Sequence, residues 1–171
     1  MGIDLQPVLQ MFRAESEEGL SIAEQAVVAL ESRPEDDECL GTIFRATHTL
    51  KGNASSLGFQ ALTEFAHVLE DILDRLRKRE LKATTPLITL LLRSIDALRQ
   101  MVPDAVSGTE GMRPEHRTLL KRLVRARSAM AGALSVTDEP SPAEDADDNE
   151  TVAGERRRGP GRRWFASPPA A

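Results

Sequence analysis

The sequence predicts an all-α protein, an up-and-down antiparallel four-helix bundle with an additional C-terminal fifth helix. Apolar residues recur at three- and four-residue steps through residues 1–134, the spacing that places them on one face of a helix. We find no convincing two-residue alternation, the pattern of a half-buried strand. The connections between the predicted helices are short, so neighbouring helices are expected to pack antiparallel.

The first two helices are predicted from this periodicity and from their boundary residues. The first helix, of about 27 residues, ends near Ser32. Its inward positions are Leu5, Val8, Leu9, Phe12, Ser16, Leu20, Ala23, Ala26, Val27 and Leu30. Pro34 and the acids after it are typical of a helix start, because proline is tolerated in the first turn and acids favour the positive end of the helix dipole. The second helix then runs to about Leu57, and Gly58 ends it.

Three further helices are predicted at about 60–79, 86–102 and 114–134. The fourth begins at a cap formed by Thr84, Thr85 and Pro86. A threonine hydroxyl oxygen can accept hydrogen bonds from free backbone amides, and proline is tolerated just inside the helix. Pro103 is expected to end that helix, since proline lacks the amide that would continue it. In the first turn of the fifth helix, His116 is expected to be a solvated residue.

Composition and charge divide the chain into a helical domain at 1–134 and a flexible linker or tail at 135–171. Residues 135–150 carry only acidic charges and few large apolar side chains, whereas 155–163 is rich in arginine. The remaining domain is close to neutral, so no nucleic-acid face is predicted. With no run of roughly 18 apolar residues and a single cysteine, Cys39, we expect a soluble cytoplasmic protein without membrane insertion or an intrachain disulfide.

The second predicted helix carries a polar stripe centred on a histidine. At about 100° per residue the stripe is Gly41, Arg45, His48, Gly52 and Ser55. A glycine inside a helix costs about 1 kcal/mol relative to alanine. Gly52 is therefore explained if a second protein must bring its reacting group close to His48. Lys51 lies on the same side and can place its ammonium near an anion on or approaching the ring.

The third predicted helix supplies a second polar stripe, Thr63, His67, Glu70 and Asp74. Counting outward from Gly58 in an antiparallel pair sets His67 and Glu70 at the level of Lys51 and His48. A carboxylate at Glu70 could then accept a hydrogen bond from one ring nitrogen of His48. The lone pair of the other nitrogen would point to solvent as a nucleophile.

Other classes of site are weaker interpretations of the same residues. Metal binding by His48, His67 and Glu70 is opposed by the positive charge of Lys51, so no metal site is predicted. The chain has no Walker-type or other glycine-rich nucleotide loop, and hence no complete kinase active site. A non-catalytic helical interaction module, with an incidental histidine and an Arg-rich tail that binds, is the alternative from another functional class.

A specific family resemblance is carried by residues 43–59, IFRATHTLKGNASSLGF. This run resembles the signature of histidine phosphotransfer (HPt) domains, His-x-x-Lys-Gly with a second glycine six residues after the first. The spacing His67-x-x-Glu70 is similar to the version at the N-terminus of CheA-type chemotaxis histidine kinases. The resemblance covers about 1–134 and implies that His48 is phosphorylated and that Glu70 hydrogen-bonds it. It also implies that Lys51 and His67 belong to the surrounding polar network.

The resemblance further implies partners and a docking surface. The surface comprises Arg45, Gly52, Ser55 and Ser56, where Gly52 leaves room for the partner. The expected partners are an ATP-binding kinase domain, in the same protein or a partner subunit, and a CheY-like or CheB-like response regulator. Those partners would bind ATP and Mg²⁺, so no cofactor is expected in this domain, which should be monomeric in isolation. A free-standing HPt protein in a multistep phosphorelay shares this chemistry and stays open.

Overall fold

Five α-helices make up the part of the chain that this computed structural model describes, residues 5–109 and 111–128. They are α1 (Gln6–Ser32), α2 (Asp37–Ser56), α3 (Gln60–Arg77), α4 (Thr85–Val106) and α5 (Pro114–Ser128). Within these residues there is no strand, and the all-α prediction is confirmed. The predicted linker at 135–171 and the last residues of the predicted fifth helix, 129–134, lie outside the described residues.

The first four helices form a closed ring in chain order. α1 packs against α2 and α4, while α3 packs against the same two helices from the opposite side. The end of α3 meets the beginning of α2, where the Arg79 guanidinium lies 2.8 Å from an Asp37 carboxylate oxygen. α2 and α3 are therefore antiparallel, as predicted for neighbouring helices. α5 packs outside the ring against α3 and α4.

The core is aliphatic, as expected from a sequence with few aromatic residues. Its largest fully buried side chains are Phe65, Leu30, Leu40, Ile43, Leu62, Leu69, Ile72, Leu73, Leu76, Leu87, Leu91 and Ile95. Leu5 and Val8 were expected on the inward face of α1 but are 56% and 39% exposed. Leu5 is the N-cap and Val8 lies in the first turn, before the buried stripe begins at Phe12. None of the described helices combines the length and apolarity needed to span a bilayer.

The boundary before α2 differs from the predicted one. Pro34 lies in the preceding turn rather than in the helix, and Asp36 is the N-cap. One Asp36 carboxylate oxygen accepts 3.0 Å hydrogen bonds from the backbone amides of Glu38 and Cys39. The bond from Cys39 is the main reason that the pKa of Asp36 lies below its usual value. An aspartate that satisfies two free amides thus begins the helix.

The predicted end of α4 and one predicted contact at its start also need correction. The helix continues through Pro103 to Val106, and the Ser107 amide bonds the Pro103 carbonyl at 3.0 Å. Proline here removes one amide near the helix end, so a final turn can still close behind it. At the other end Thr84 is the N-cap, but its side chain makes no capping hydrogen bond. Pro86 lies in the first turn, as predicted, where a missing amide costs nothing.

The turn between α2 and α3 depends on Gly58, which has a φ of +78°. The Phe59 amide bonds the Ala54 carbonyl at 2.9 Å and the Gly58 amide bonds the Ser55 carbonyl at 3.1 Å. This pair of bonds is the Schellman motif, which ends a helix with one residue in the left-handed conformation. It sets the register of α3 against α2.

Gly58→Ala is expected to destabilise the domain by about 1 kcal/mol, because an L-residue is strained at this φ. A methyl group at this position meets no atom within 4 Å, so the backbone is the source of the cost. Urea unfolding followed by circular dichroism measures the change. Unaltered stability in the variant would show that the turn relaxes to another conformation.

Candidate functional site

His48 lies in the middle of α2 and faces α3 across the groove between the two helices. Its side chain is 60% exposed, and its Nδ1 atom lies 3.0 Å from Oε1 of Glu70. The hydrogen bond expected between these residues is thus present in the structure. Because Nδ1 is engaged, Nε2 is the ring nitrogen left for chemistry with another molecule.

Glu70 is the less exposed partner, with 13% of its side-chain surface accessible, and it also contacts a lysine. Its other carboxylate oxygen, Oε2, lies 2.7 Å from the Nζ atom of Lys51. Burial alone would raise the pKa of Glu70, but the hydrogen bonds from Lys51 and His48 outweigh it and the pKa is lowered. Glu70 is therefore ionised at neutral pH.

The ionised carboxylate determines the tautomer of the neutral imidazole. A carboxylate can only accept hydrogen bonds, so Nδ1 of His48 must carry the ring proton and donate a hydrogen bond to Glu70. Nε2 of the neutral ring then holds a lone pair. The arrangement gives α2 an exposed nitrogen nucleophile with a defined tautomer.

Phe44 and Arg77 also belong to this site, although sequence reasoning did not include them. The Phe44 ring stacks on the His48 ring, with centroids 5.9 Å apart and planes inclined by 14°. The Arg77 guanidinium carbon lies 4.5 Å from the centroid of the same phenylalanine. The spacing from Phe44 to His48 is one helical turn, which is the signal that could have identified the stack.

His67 lies on α3 but its described contact is within that helix. Its Nε2 atom is 3.7 Å from an Asp71 carboxylate oxygen, and the side chain is 59% exposed. The other Asp71 oxygen lies 3.0 Å from the guanidinium of Arg127 on α5. The structure thus brings together His48, Glu70 and Lys51, whereas the contact of His67 with Asp71 leads toward α5.

The predicted docking residues on α2 are all exposed. Gly52 is open to solvent, and a methyl group added there meets no atom within 4 Å. The Ser56 hydroxyl donates to the Gly52 carbonyl at 3.0 Å, and Arg45 donates to the Thr42 hydroxyl at 3.2 Å. Nothing in the described part of the chain therefore requires glycine at position 52.

The prediction that His116 is a solvated residue is wrong, because its exposed fraction is only 3%. Its Nε2 atom lies 3.2 Å from Oε1 of Gln100 on α4. α5 packs against α4, and that packing buries a side chain whose first-turn position suggested solvent. Among the described residues, no group of three or more His, Cys, Asp or Glu side chains is placed to hold a metal ion.

Comparison with known proteins identifies the family. The family model described as Hpt domain matches residues 7–101. The chain belongs to the Hpt domain family. This result confirms the resemblance drawn from residues 43–59.

Relatives of this Hpt domain include a sensor histidine kinase and chemotaxis proteins named CheA. The chain is 40% identical over 99 residues to the sensor histidine kinase CheAY of Helicobacter pylori, an alignment that covers 58% of this chain and 12% of that protein. The chain therefore corresponds to a small part of this much longer relative.

Solved structures share the fold. The CheA phosphotransferase domain from Thermotoga maritima is 36% identical, with a TM-score of 0.57 over 61% of this chain and 99% of that one. The phosphorylated P1 domain of CheA3, in complex with CheY6 from R. sphaeroides, has a TM-score of 0.65 over 71% of this chain and 95% of that one. At 23% identity, the second likeness shows the fold alone.

Proposed function

We propose that this Hpt domain is the phosphoryl-carrying domain of a chemotaxis-like two-component kinase. His48 accepts a phosphoryl group from ATP held by a separate kinase domain and passes it to an aspartate of a CheY-like or CheB-like response regulator. The observation that supports this function is the hydrogen bond between Glu70 and Nδ1 of His48, which leaves Nε2 exposed. Since the donor is ATP, the proposal places the domain in the cytoplasm.

The first transfer forms one bond and breaks one. The lone pair of Nε2 attacks the γ-phosphorus, a P–N bond forms, and ADP leaves with the electrons of the P–O bond. The imidazole ring becomes more positive while its Nδ1 proton stays hydrogen-bonded to Glu70. The negative carboxylate stabilises this developing charge at a distance of 3.0 Å.

In the second transfer the phosphoryl group leaves His48 for the response regulator. A carboxylate oxygen of the regulator's aspartate attacks the phosphorus, and the P–N electrons return to Nε2. ATP and Mg²⁺ are held by the partner domains in this scheme, so the Hpt domain contributes position and electrostatics. Lys51, 2.7 Å from Glu70, helps to keep that carboxylate ionised through both steps.

The partners would dock on the docking surface of α2, which comprises Arg45, Gly52, Ser55 and Ser56. Gly52 lies one turn after His48, and the space above it is open. A glycine there costs helix stability, and nothing within residues 5–109 and 111–128 accounts for it. Close approach of a partner's active site to Nε2 explains why a side chain is absent at this position.

Gly52→Ala is expected to stabilise the isolated domain by up to about 1 kcal/mol and to slow phosphotransfer at the same time. Alanine favours the helix, while its methyl group would contact the docking partner. Thermal unfolding and the KM for transfer to a receiver domain measure the two effects. A variant that is more stable and transfers with unchanged KM would contradict the docking role of Gly52.

The proposed function is tested by phosphorylation in vitro. The domain is incubated with radiolabelled ATP and a CheA kinase fragment that lacks its own Hpt domain, and then with a CheY-like receiver. We expect a phosphate that is acid-labile and alkali-stable, and its loss from the domain when the receiver is added. Absence of this label with several such kinases would instead favour a non-catalytic helical interaction module.

A further inference from the structure

The contact between Glu70 and His48 controls only part of the orientation of the imidazole ring. A single hydrogen bond holds Nδ1 close to Oε1, but a coupled rotation about the Cα–Cβ and Cβ–Cγ bonds of His48 can still move the ring while that contact is kept. Such a rotation tilts the ring plane and redirects the Nε2 lone pair. In-line attack on phosphorus needs that lone pair aligned, so a second contact is required to define its direction.

The Phe44 ring supplies a contact of the required kind. It lies nearly parallel to the imidazole, at 14°, with a centroid separation of 5.9 Å. An offset parallel arrangement of this kind is favourable for aromatic rings and resists tilting of either plane. Hydrogen bonding at one ring edge and stacking over one ring face together restrain the imidazole.

Phe44 is itself restrained from two directions. It is partly buried and packs against the core, and the Arg77 guanidinium carbon lies 4.5 Å from its ring centroid. A cation over an aromatic face is attracted by the ring's quadrupole. Because Arg77 lies two turns after Glu70 on α3, the same helix supports His48 both directly and through Phe44.

We propose that Phe44 is a positioning residue for His48, that Arg77 holds Phe44 in place, and that this pair sets the plane in which Nε2 receives the phosphoryl group. The inference rests on the proposed function, in which His48 is the acceptor. Phe44 touches the acceptor ring and acts through its orientation, so its effect belongs to the transfer step and not to partner binding.

Phe44→Leu tests this role, and Phe44→Tyr is its conservative counterpart. Leucine keeps an apolar side chain against the core but removes the stacked ring. We expect the kcat for phosphorylation by the kinase fragment to fall roughly two- to tenfold with KM unchanged. Tyrosine restores kcat because it restores the ring. A wild-type kcat for the leucine variant, or a loss that tyrosine does not restore, overturns the proposal.

Nuclear magnetic resonance of the His48 ring protons tests the stack without any phosphorylation. The Phe44 ring current is expected to shift these protons in the wild-type domain, and the shift should disappear in Phe44→Leu and persist in Phe44→Tyr. Unchanged proton shifts in the leucine variant show that no stack exists and overturn the proposal. If the proposed function is wrong, the wild-type domain is not labelled by the kinase. That outcome is separate from the proton shifts, which report only on the stack.

Arg77→Met tests how the arginine acts, because methionine keeps a long side chain without the charge. We expect a smaller fall in kcat in the same direction, and a double variant with Phe44→Leu that is no slower than Phe44→Leu alone. If the two losses instead multiply, Arg77 acts on the phosphoryl group independently of Phe44, and its holding role is wrong. Because this exchange leaves the core side of Phe44 untouched, it also tests the site should Phe44→Leu fail to fold.

Discussion

His48→Gln is expected to abolish phosphorylation of the domain while leaving the helical bundle folded. Glutamine can reach a similar volume but has no nitrogen lone pair that can attack phosphorus. The side chain is 60% exposed, so the change in unfolding free energy should stay within about 0.5 kcal/mol. The measurement is incorporation of label from ATP, together with a circular dichroism melt of the variant.

Thr49→Ala is the matched control for this experiment, because Thr49 is the adjacent exposed position and carries a hydroxyl. The control should be labelled like the wild type, with phosphate that is lost in acid. Persistent labelling of His48→Gln would show that another residue accepts the phosphoryl group and would refute the assignment of His48.

Glu70→Ala should slow phosphorylation about ten- to hundredfold, the usual cost of losing a group that orients a reacting imidazole. Alanine removes both the hydrogen bond to Nδ1 and the negative charge that stabilises the phosphorylated ring. The expected loss of stability is only about 1 kcal/mol, since Lys51 can turn its ammonium toward solvent. Rapid-quench phosphorylation and thermal melts measure the two effects separately.

Glu70→Gln separates the hydrogen bond from the charge. The amide oxygen can still accept from Nδ1, so this variant should react more slowly than the wild type and faster than Glu70→Ala. Equal rates in the glutamine variant and the wild type would show that charge contributes nothing. Equal phosphorylation rates in the wild type, Glu70→Ala and Glu70→Gln would show that Glu70 has no role in the transfer.

Much of the site could be predicted because short-range rules determine it. The helical period places His48 and Lys51 on neighbouring positions of α2, and a three-residue connection leaves little freedom in how α3 returns. Counting from Gly58 on both helices therefore paired Glu70 with His48, whose atoms lie 3.0 Å apart. Lys51, which the family resemblance assigns to the polar network around His48, contacts Glu70 in the structure.

Features that depend on packing between distant segments were not predictable in this way. The side chain of His116 is polar and near a helix start, yet contact between α5 and α4 buries it. Phe44 reads as a core residue; its one-turn spacing from His48 could have indicated the stack, but its contact with Arg77 depends on how α3 packs against α2. The error at Pro103 has a local cause instead. Proline reads as a helix end, but one missing amide does not prevent a last turn.

The three-residue connection between α2 and α3 has a consequence for how the protein folds. The two residues of the central hydrogen bond are separated by 22 positions in the chain, so bringing them together closes a small loop at low entropic cost. A helical hairpin of this kind has low contact order, and such topologies fold quickly. The reactive constellation can therefore assemble within a single local hairpin, before α5 docks on the completed ring.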